Sequence, residues 1–278
     1  MPDLPDALVR RHLLAPLAYR LGIKRFKPDF VAAAVHAERR AVFLAEALDA
    51  LGDIRAMRLK GIAYATDPAL YDDPAERPMT DIDLMVADAR FAEAVDRLKR
   101  LGYREDGKRN QRSSANHAVT LRRRESAIDL HRSMLQRGRT GLDLDVIWRG
   151  ARAAPGHTLR PQPAHEYLIH LSHMARHEFA VPLVAFIDAD RLLRNAPTLD
   201  DLAHRWRLRR AHALATKYLS VLRDGSWIPP ALFPGTRELM AGLAPSRTRQ
   251  VIRKFAVHDG PRDWWAMAAA SARTRLGV

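Results

Sequence analysis

The clearest alternation of apolar and polar positions lies at residues 77–86, which read RPMTDIDLMV. The apolar members of this alternation are Ile82, Leu84 and Val86, and the acidic members are Asp81 and Asp83. A two-residue period predicts a β-strand, because alternate side chains of a strand share a face. We therefore expect the apolar residues to face a core and both carboxylates to converge on the other side.

Residues 116–134 predict two more strands, joined by a tight turn near Glu125 and Ser126. Apolar residues of the second strand alternate with two polar ones, Asp129 and His131. These two side chains share a face for the same geometric reason.

Helical periodicity surrounds these strands. Residues 5–22, 28–51 and 88–101 predict helices, and residues 54–59 predict a short strand. The apolar residues that recur at helical spacing in the second helix, and so predict its buried face, are Val31, Ala34, Val35, Val42, Ala45 and Leu48. This order of strands and helices predicts an α+β core with a small mixed sheet.

The composition changes after Trp148, where Pro155, Pro161 and Pro163 mark a junction, and the pattern beyond this junction is helical. The predicted helices there are 163–178, 181–195, 198–208, 211–224, 229–243, 246–258 and 261–275. We therefore predict three parts. These are an N-terminal helical extension at 1–29, the α+β core at 30–150 and an all-helical C-terminal domain at 151–278.

Composition narrows the class of protein. The 278 residues are 47% hydrophobic and 28% charged, which is typical of a globular protein. The absence of cysteine excludes disulfides, thiolate zinc sites and cysteine nucleophiles. The N-terminal segment carries charges throughout, and no run approaches the ~18 apolar residues of a membrane span. We therefore expect a cytoplasmic protein without a secretory signal or a membrane partner.

The chain is strongly basic, with a formal net charge of +14 and a pI of about 10.7. Such a charge favours a polyanionic partner such as an NTP, RNA or an anionic surface. High-GC coding, which enriches arginine, would give the same charge with no partner. Much of the excess lies at residues 201–278, which hold fourteen Lys or Arg against five Asp or Glu.

Three acidic residues, Asp81, Asp83 and Asp129, form what we call the acidic triad, if the two strands that carry them are neighbours. Converging carboxylates repel one another unless a cation lies between them, and oxygen ligands suit Mg²⁺. In nucleotidyl transfer two Mg²⁺ ions clamp the attacking and leaving oxygens. Asp129 would complete the second ion's site and can take the acceptor's proton. The alternative is an edge strand whose polar face lies in water.

Lys60 and Gly61 stand where the strand predicted at 54–59 passes into a helix. A glycine lets the backbone approach a phosphate closely, and a helix N-terminus offers unsatisfied N–H groups. Lys60 would add a positive charge. The position of this turn, upstream of the acidic strand, favours binding of a phosphate.

Three blocks of sequence carry a family resemblance: L-K-G at 59–61, R-P-M-T-D-I-D-L-M-V at 77–86 and I-D-L-H at 128–131. In this order they resemble the uncharacterised nucleotidyltransferase family of the polymerase-β-type nucleotidyltransferase superfamily. The resemblance covers roughly residues 30–195. It implies that 30–150 is a polymerase-β-like nucleotidyltransferase catalytic core with a small mixed sheet, followed by an all-helical C-terminal domain.

The resemblance also implies roles for single residues. Metal binding and catalysis fall to the acidic triad, with two Mg²⁺ ions for which Mn²⁺ can substitute. The residues that help to hold the triphosphate are Lys60, Gly61 and Arg77. One departure concerns the first block, where most of the superfamily has Gly-Ser or Gly-Gly and this chain has Lys60-Gly61, followed by Ile62.

Several histidines have more than one interpretation. His131 either contacts the substrate or orients the carboxylate of Asp129. One face of the helix predicted at 163–178 carries Glu166, His170, His173 and His177. This face could bind zinc, could be a polar face without a catalytic role, or could line the cleft. In the last case, as in members of the resembled family, His173 lies near the base or acceptor.

These observations together predict a Mg²⁺-dependent nucleotidyltransferase. It would transfer an NMP group from an NTP, with ATP favoured, to an acceptor hydroxyl and release pyrophosphate. The acceptor is a small molecule, a peptide or natural-product intermediate, or RNA, which suits the basic helical half best. The alternative is a catalytically inactive protein of the same fold that binds RNA through that half. The oligomeric state stays open.

Overall fold

The computed structural model describes residues 5–106, 117–134, 141–196, 199–224, 257–260 and 263. They belong to two compact units. Among the described residues, the first unit contains those from 5 to 134 and from 144 to 162, and the second contains 141–143 and those from 163 onward. The helices predicted at 229–243, 246–258 and 261–275 lie almost entirely outside the described residues.

The first unit is built on a seven-stranded mixed sheet with the strand order β3-β4-β5-β2-β1-β7-β6. Its strands are β1 (Ala56–Leu59), β2 (Ile82–Val86), β3 (Arg104–Glu105), β4 (Ala118–Arg123), β5 (Ser126–His131), β6 (Arg152–Ala154) and β7 (Thr158–Arg160). The pairs β2–β5 and β1–β7 are parallel, and the other neighbours are antiparallel. The predicted α+β class and mixed sheet are confirmed, and this architecture is consistent with a nucleotidyltransferase fold.

The helices of the first unit are α1 (Asp6–Arg11), α2 (Ala15–Arg20), α3 (Lys27–Leu51), α4 (Lys60–Ala65), α5 (Phe91–Arg100) and α6 (Leu144–Arg149). The single helix predicted at 5–22 is therefore two helices. The break lies at Leu13, whose φ of 58° is left-handed and cannot continue a right-handed helix. Pro16 then lies in the first turn of α2, where its missing N–H has no intrahelical partner to lose.

One apolar core joins the sheet to α3 and α5. The strand residues in it include Ile82, Leu84 and Val86 of β2, as the alternation predicts, together with Ile128 and Leu130 of β5. These side chains point to one face of the sheet, so the polar residues between them must lie on the opposite face. Burial of the apolar face thereby fixes where the carboxylates point.

The buried face of α3 matches the predicted one only in part, through Leu48, which packs against the core. Three of the predicted core residues, Val31, Val35 and Val42, are 44–57% exposed. The residues of α3 that are buried in the core are instead Leu44, Ala47 and Leu51, in its C-terminal half. Apolar residues recur on more than one side of this helix, so periodicity alone does not identify the side that packs on the sheet.

Residues 152–160, at the start of the all-helical domain predicted at 151–278, are not helical. These residues form the β6–β7 hairpin, which extends the sheet by pairing Leu159 of β7 with Met57 of β1. Its turn contains Gly156, whose φ of +65° favours glycine. The Pro155-Gly156 dipeptide between two short segments was a turn signal that could have indicated this hairpin.

The described part of the second unit is helical, with α7 (Pro163–Arg176), α8 (Leu183–Arg194), α9 (Asp200–Arg205) and α10 (Arg209–Arg223). These helices match the ones predicted at 163–178, 181–195, 198–208 and 211–224. Aromatic contacts link α8 to α10, since the rings of Phe186 and Tyr218 have centroids 5.5 Å apart. Among the described helices, none is both long and apolar enough to cross a lipid bilayer.

Candidate active site

Parallel pairing of β2 with β5 places two carboxylates side by side. The register of the two strands pairs Asp83 with Asp129, and two residues later it pairs Met85 with His131. Paired residues of neighbouring strands share a face, and the strands lie about 4.8 Å apart. Two members of the acidic triad are therefore brought together by strand register.

Asp83 is buried, and two basic groups contact one of its oxygens. The Nζ of Lys60 lies 2.6 Å from Oδ1, and Nε2 of His131 donates to the same oxygen at 2.9 Å. Lys60 reaches this position because the antiparallel pairing of β1 with β2 sets the preceding residue, Leu59, opposite Asp83. The φ of Lys60 is 49°, an uncommon conformation for a residue other than glycine that is often found at functional sites.

The charge of Asp83 is stabilised by these neighbours. Burial by itself would raise the pKa of Asp83, because it disfavours the charged form. The positive charge of Lys60 and the hydrogen bond from His131 outweigh burial, and the pKa of Asp83 falls well below its usual range. Asp83 is therefore ionised at neutral pH.

Asp81 lies just before β2, so the predicted strand at 77–86 begins in the structure at Ile82. Pro78 has no N–H to donate to a ladder, which favours this later start. Burial, followed by the negative charges of Asp83 and Asp129, raises the pKa of Asp81. The carboxylate of Asp81 is thus close enough to both others to be affected by their charge.

Asp129 is held by the neighbouring hairpin strand. The pairing of β4 with β5 sets Thr120 opposite Asp129, and the Thr120 hydroxyl donates to Oδ1 of Asp129 at 2.6 Å. This bond occupies one carboxylate oxygen and fixes the orientation of the other. The turn of this hairpin lies at Arg124 and Glu125, since Arg123 pairs with Ser126, so the predicted turn is one residue too late.

Three residues, Asp83, Asp129 and His131, form what we call the aspartate–histidine cluster. Each offers one ligand atom, and these atoms lie within 4.8 Å of one another. A divalent cation needs ligand atoms about 2.0–2.6 Å from itself, so a small closure of the cluster would surround one ion. Two carboxylates suit Mg²⁺ or Mn²⁺, and an imidazole adds a preference for a transition metal. The donor set therefore fits a divalent cation, and Asp81 lies outside this cluster.

The other residues that the resemblance assigns to the triphosphate are Gly61, at the start of α4, and Arg77, which precedes β2. A Cβ added at Gly61 would lie 3.2 Å from Cβ of Met79 and 3.9 Å from Nη1 of Arg77. Gly61 therefore allows a close approach of these side chains, and the Arg77 guanidinium lies beside the turn between β1 and α4. The same guanidinium donates to the Pro78 carbonyl oxygen.

His131 is expected to contribute to metal binding, either as a ligand or by holding Asp83. Its ring is buried, and its Nδ1 has no hydrogen-bond partner among the described residues. We predict that His131→Ala lowers the affinity for Mn²⁺ by about 10–100-fold, the usual cost of removing a group that orients a metal ligand. Electron paramagnetic resonance titration with Mn²⁺ measures this affinity.

His117→Ala is the matched control, because the His117 ring lies 6.0 Å from that of His131 without belonging to the cluster. We expect wild-type Mn²⁺ affinity for this variant. Equal affinities of His131→Ala and His117→Ala would remove His131 from the metal site and leave it as a substrate contact.

His173 lies on α7, in the second unit, with its ring 4.7 Å from that of His177. On the same helix, Nε2 of His170 donates to the Ala185 carbonyl at 2.8 Å, which gives this histidine a structural role. Among the described residues, the aspartate–histidine cluster is the one group of three that could hold a metal. No residue of α7 belongs to this cluster, so the zinc interpretation of α7 gains no support. The role of His173 in substrate binding stays a prediction.

Sequence reasoning missed two residues near the acidic triad, Thr120 and Arg40. Thr120 could have been found from the hairpin register, had the turn been placed one residue earlier. Arg40 lies on α3, and its positive charge interacts with the negative charge of Asp81. No motif contains Arg40, so only the packing of α3 against the sheet could reveal it.

A known protein family matches most of this chain. A family model described as an uncharacterised nucleotidyltransferase matches residues 6–224, well over half of the chain. Neither the curated proteins nor the solved structures contain a match to the chain. Because the family match covers well over half of the chain, the chain belongs to the uncharacterised nucleotidyltransferase family.

Proposed function

We propose that the chain is a divalent-metal-dependent nucleotidyltransferase. It transfers an NMP group from an NTP, with ATP as the expected donor, to an acceptor hydroxyl and releases pyrophosphate. The observation that carries this proposal is the pairing of Asp83 with Asp129 across parallel strands, with Asp81 close by. The acceptor belongs to one of three classes: a small molecule, a peptide or natural-product intermediate, or RNA.

The reaction forms one bond to the α-phosphorus and breaks another. The acceptor oxygen attacks the α-phosphorus, the bond to the bridging oxygen of the β-phosphate breaks, and pyrophosphate leaves with that electron pair. Asp129, whose Oδ1 accepts from Thr120, can take the acceptor's proton on its other oxygen. Two divalent ions, Mg²⁺ or in its place Mn²⁺, would neutralise phosphate charge and lower the pKa of the acceptor hydroxyl. The acidic triad would hold these ions.

The triphosphate would lie against Lys60, Gly61 and Arg77. Lys60 now holds Asp83 by an ion pair, and its side chain is 21% exposed. A cation bound by Asp83 would compete with this ion pair and free the ammonium for a phosphate oxygen. The Arg77 guanidinium beside the turn adds a second positive charge on the same side.

This competition gives Lys60→Met two opposite effects. We expect the affinity for Mn²⁺ alone to rise about tenfold, because the cation no longer displaces an ammonium worth roughly 1.4 kcal/mol. The affinity for ATP is expected to fall about tenfold, since one phosphate contact is lost. Equilibrium titrations with each ligand measure both affinities.

Lys99→Met is the control for this experiment, because Lys99 lies on α5 and pairs with Glu105 at the surface. It should change neither affinity. A parallel loss of Mn²⁺ and ATP binding in Lys60→Met would contradict the competition and indicate a disrupted site.

A transfer assay tests the proposed function. The protein is incubated with each NTP, radiolabelled at the α-phosphate, and with separate small-molecule, peptide and RNA fractions. We expect label to appear in one fraction with one NTP, only when a divalent cation is present, and not with Asp83→Asn. Label transfer that persists with Asp83→Asn would contradict the role of the acidic triad.

A further inference from the structure

A cavity in the first unit contains two arginines that lack an acidic partner. Arg58 on β1 is 6% exposed. Its Nη2 donates to the Pro155 carbonyl at 2.7 Å and its Nη1 donates to Oγ1 of Thr66 at 3.4 Å. Its Nε has no hydrogen-bond partner among the described residues. No carboxylate therefore neutralises this buried guanidinium within the described part of the chain.

Arg40 on α3 lines the same cavity and is half-buried. Arg40 makes no hydrogen bond or close ion pair with any described residue. Among the described residues, the one charge that interacts with its guanidinium is the carboxylate of Asp81. Burial lowers the pKa of both Arg40 and Arg58. Burial of an unpaired guanidinium costs free energy, and a bound anion would recover it.

The cavity is otherwise mostly apolar. Its volume is about 450 Å³, within the range of small-molecule sites. The apolar residues that line it include Ala34, Ala37, Ala41 and Leu44 of α3, Ile62 of α4 and Met79. Small side chains on α3 leave the space, and the two arginines supply positive charge at its wall.

Among the described residues, neither acid of the cavity wall forms a close ion pair with Arg40 or Arg58. Asp73 uses its carboxylate to accept from the N–H of Ala75 at 2.8 Å. Glu38 is exposed to solvent. An apolar molecule with one acidic group therefore complements the cavity in both shape and charge.

We propose that this cavity is a binding site for an apolar molecule with a carboxylate or phosphate group, distinct from the acidic triad. Arg58 pairs with Leu84 in the register of β1 and β2, so it lies on the sheet face that carries the apolar core, opposite the carboxylate of Asp83. The acidic group binds at the arginines, and the apolar body fills the space along α3.

Binding of fluorescent probes tests the site without NTP or metal. The acidic probe is 8-anilinonaphthalene-1-sulfonate, and its uncharged counterpart is N-phenyl-1-naphthylamine. We expect Arg40→Met and Arg58→Met to weaken binding of the sulfonate at least about tenfold, the usual effect of losing a charge-assisted contact, and to leave the uncharged probe unchanged. Sulfonate binding at wild-type affinity in both variants would overturn the site.

Two further variants complete this test. Arg39→Met is the matched control, since Arg39 is the neighbour of Arg40 on α3 but pairs with Glu125 at the surface. It should bind both probes like the wild type, which excludes a general effect of the protein's net charge.

Ala37→Leu should weaken binding of both probes by filling the cavity, even if Arg58→Met fails to fold. Wild-type binding by Ala37→Leu would place the probes elsewhere and overturn the site.

Competition identifies the acidic group. Decanoate or decyl phosphate should displace the sulfonate probe, and decanol should not. Equal displacement by decanol would overturn the requirement for an acid.

Discussion

Asp83→Asn is expected to lower the rate of NMP transfer by about 1,000-fold or more. The substitution removes the one carboxylate that contacts both Lys60 and His131 and that pairs with Asp129 across the sheet. Metal-ion catalysis contributes several kcal/mol to stabilisation of the transition state, and each 1.36 kcal/mol corresponds to a factor of ten in rate. Steady-state measurement of pyrophosphate release under saturating NTP gives the rate.

The control for this variant is Asp88→Asn. Asp88 lies just after β2, is 45% exposed at its side chain and pairs with Arg132. An exposed ion pair contributes about 1 kcal/mol or less to stability, so this variant should keep its turnover. Turnover of Asp83→Asn within about tenfold of the wild type would mean that Asp83 has a structural role only.

Asp83 and Asp81 are expected to have opposite effects on stability in the absence of metal. Asp83→Asn leaves the ammonium of Lys60 without its buried partner, and breaking such a pair costs about 3 kcal/mol of unfolding free energy. Asp81→Asn instead removes a half-buried charge that is repelled by Asp83 and Asp129, so the protein should become more stable at neutral pH. Urea denaturation in the presence of a chelator measures both changes.

The pH dependence of these effects follows from the pKa directions. Asp83 has a lowered pKa when folded, so it stabilises the protein above the unfolded value of about 3.9 and this contribution is lost as the pH falls below that value. Asp81 has a raised pKa in the folded protein. Its contribution to stability is therefore most favourable below about pH 3.9, the unfolded pKa, and is lost as the pH rises through the folded pKa. The gain from Asp81→Asn should therefore disappear in acid. A gain that persists at pH 3 would contradict this explanation.

The strand pattern predicted more of this molecule than any other feature of its sequence. A period of two, with apolar residues on one side, places Asp83 opposite the core wherever Ile82 and Leu84 are buried. The same rule places Asp129 and His131 on one face of β5. Whether these two strands are neighbours depends on long-range pairing, which no local pattern specifies, and the family resemblance supplied that step.

Other parts of the site depend on geometry that the sequence did not reveal. The side chain of Lys60 turns toward Asp83 because its backbone is left-handed, which is uncommon for lysine. Thr120 meets Asp129 only because the hairpin turns at Arg124 and Glu125, a pair that lacks the usual glycine or asparagine signal. The cavity along α3 depends on which side of that helix faces the sheet. The apolar periodicity indicated this side only in part, since Ala34 of the predicted face lines the cavity but Val35 is exposed.

The most direct test of the account is thermal unfolding with ATP, GTP, CTP and UTP, each with and without Mg²⁺. The measurement compares the wild type with Asp83→Asn and Asp88→Asn. One NTP at about 100 times its Kd should stabilise the wild type and Asp88→Asn by roughly 2.7 kcal/mol, only with Mg²⁺, and should not stabilise Asp83→Asn. Stabilisation that is independent of Mg²⁺ and equal in all three proteins, or no stabilisation by any NTP, would contradict the assignment of the acidic triad to metal and nucleotide.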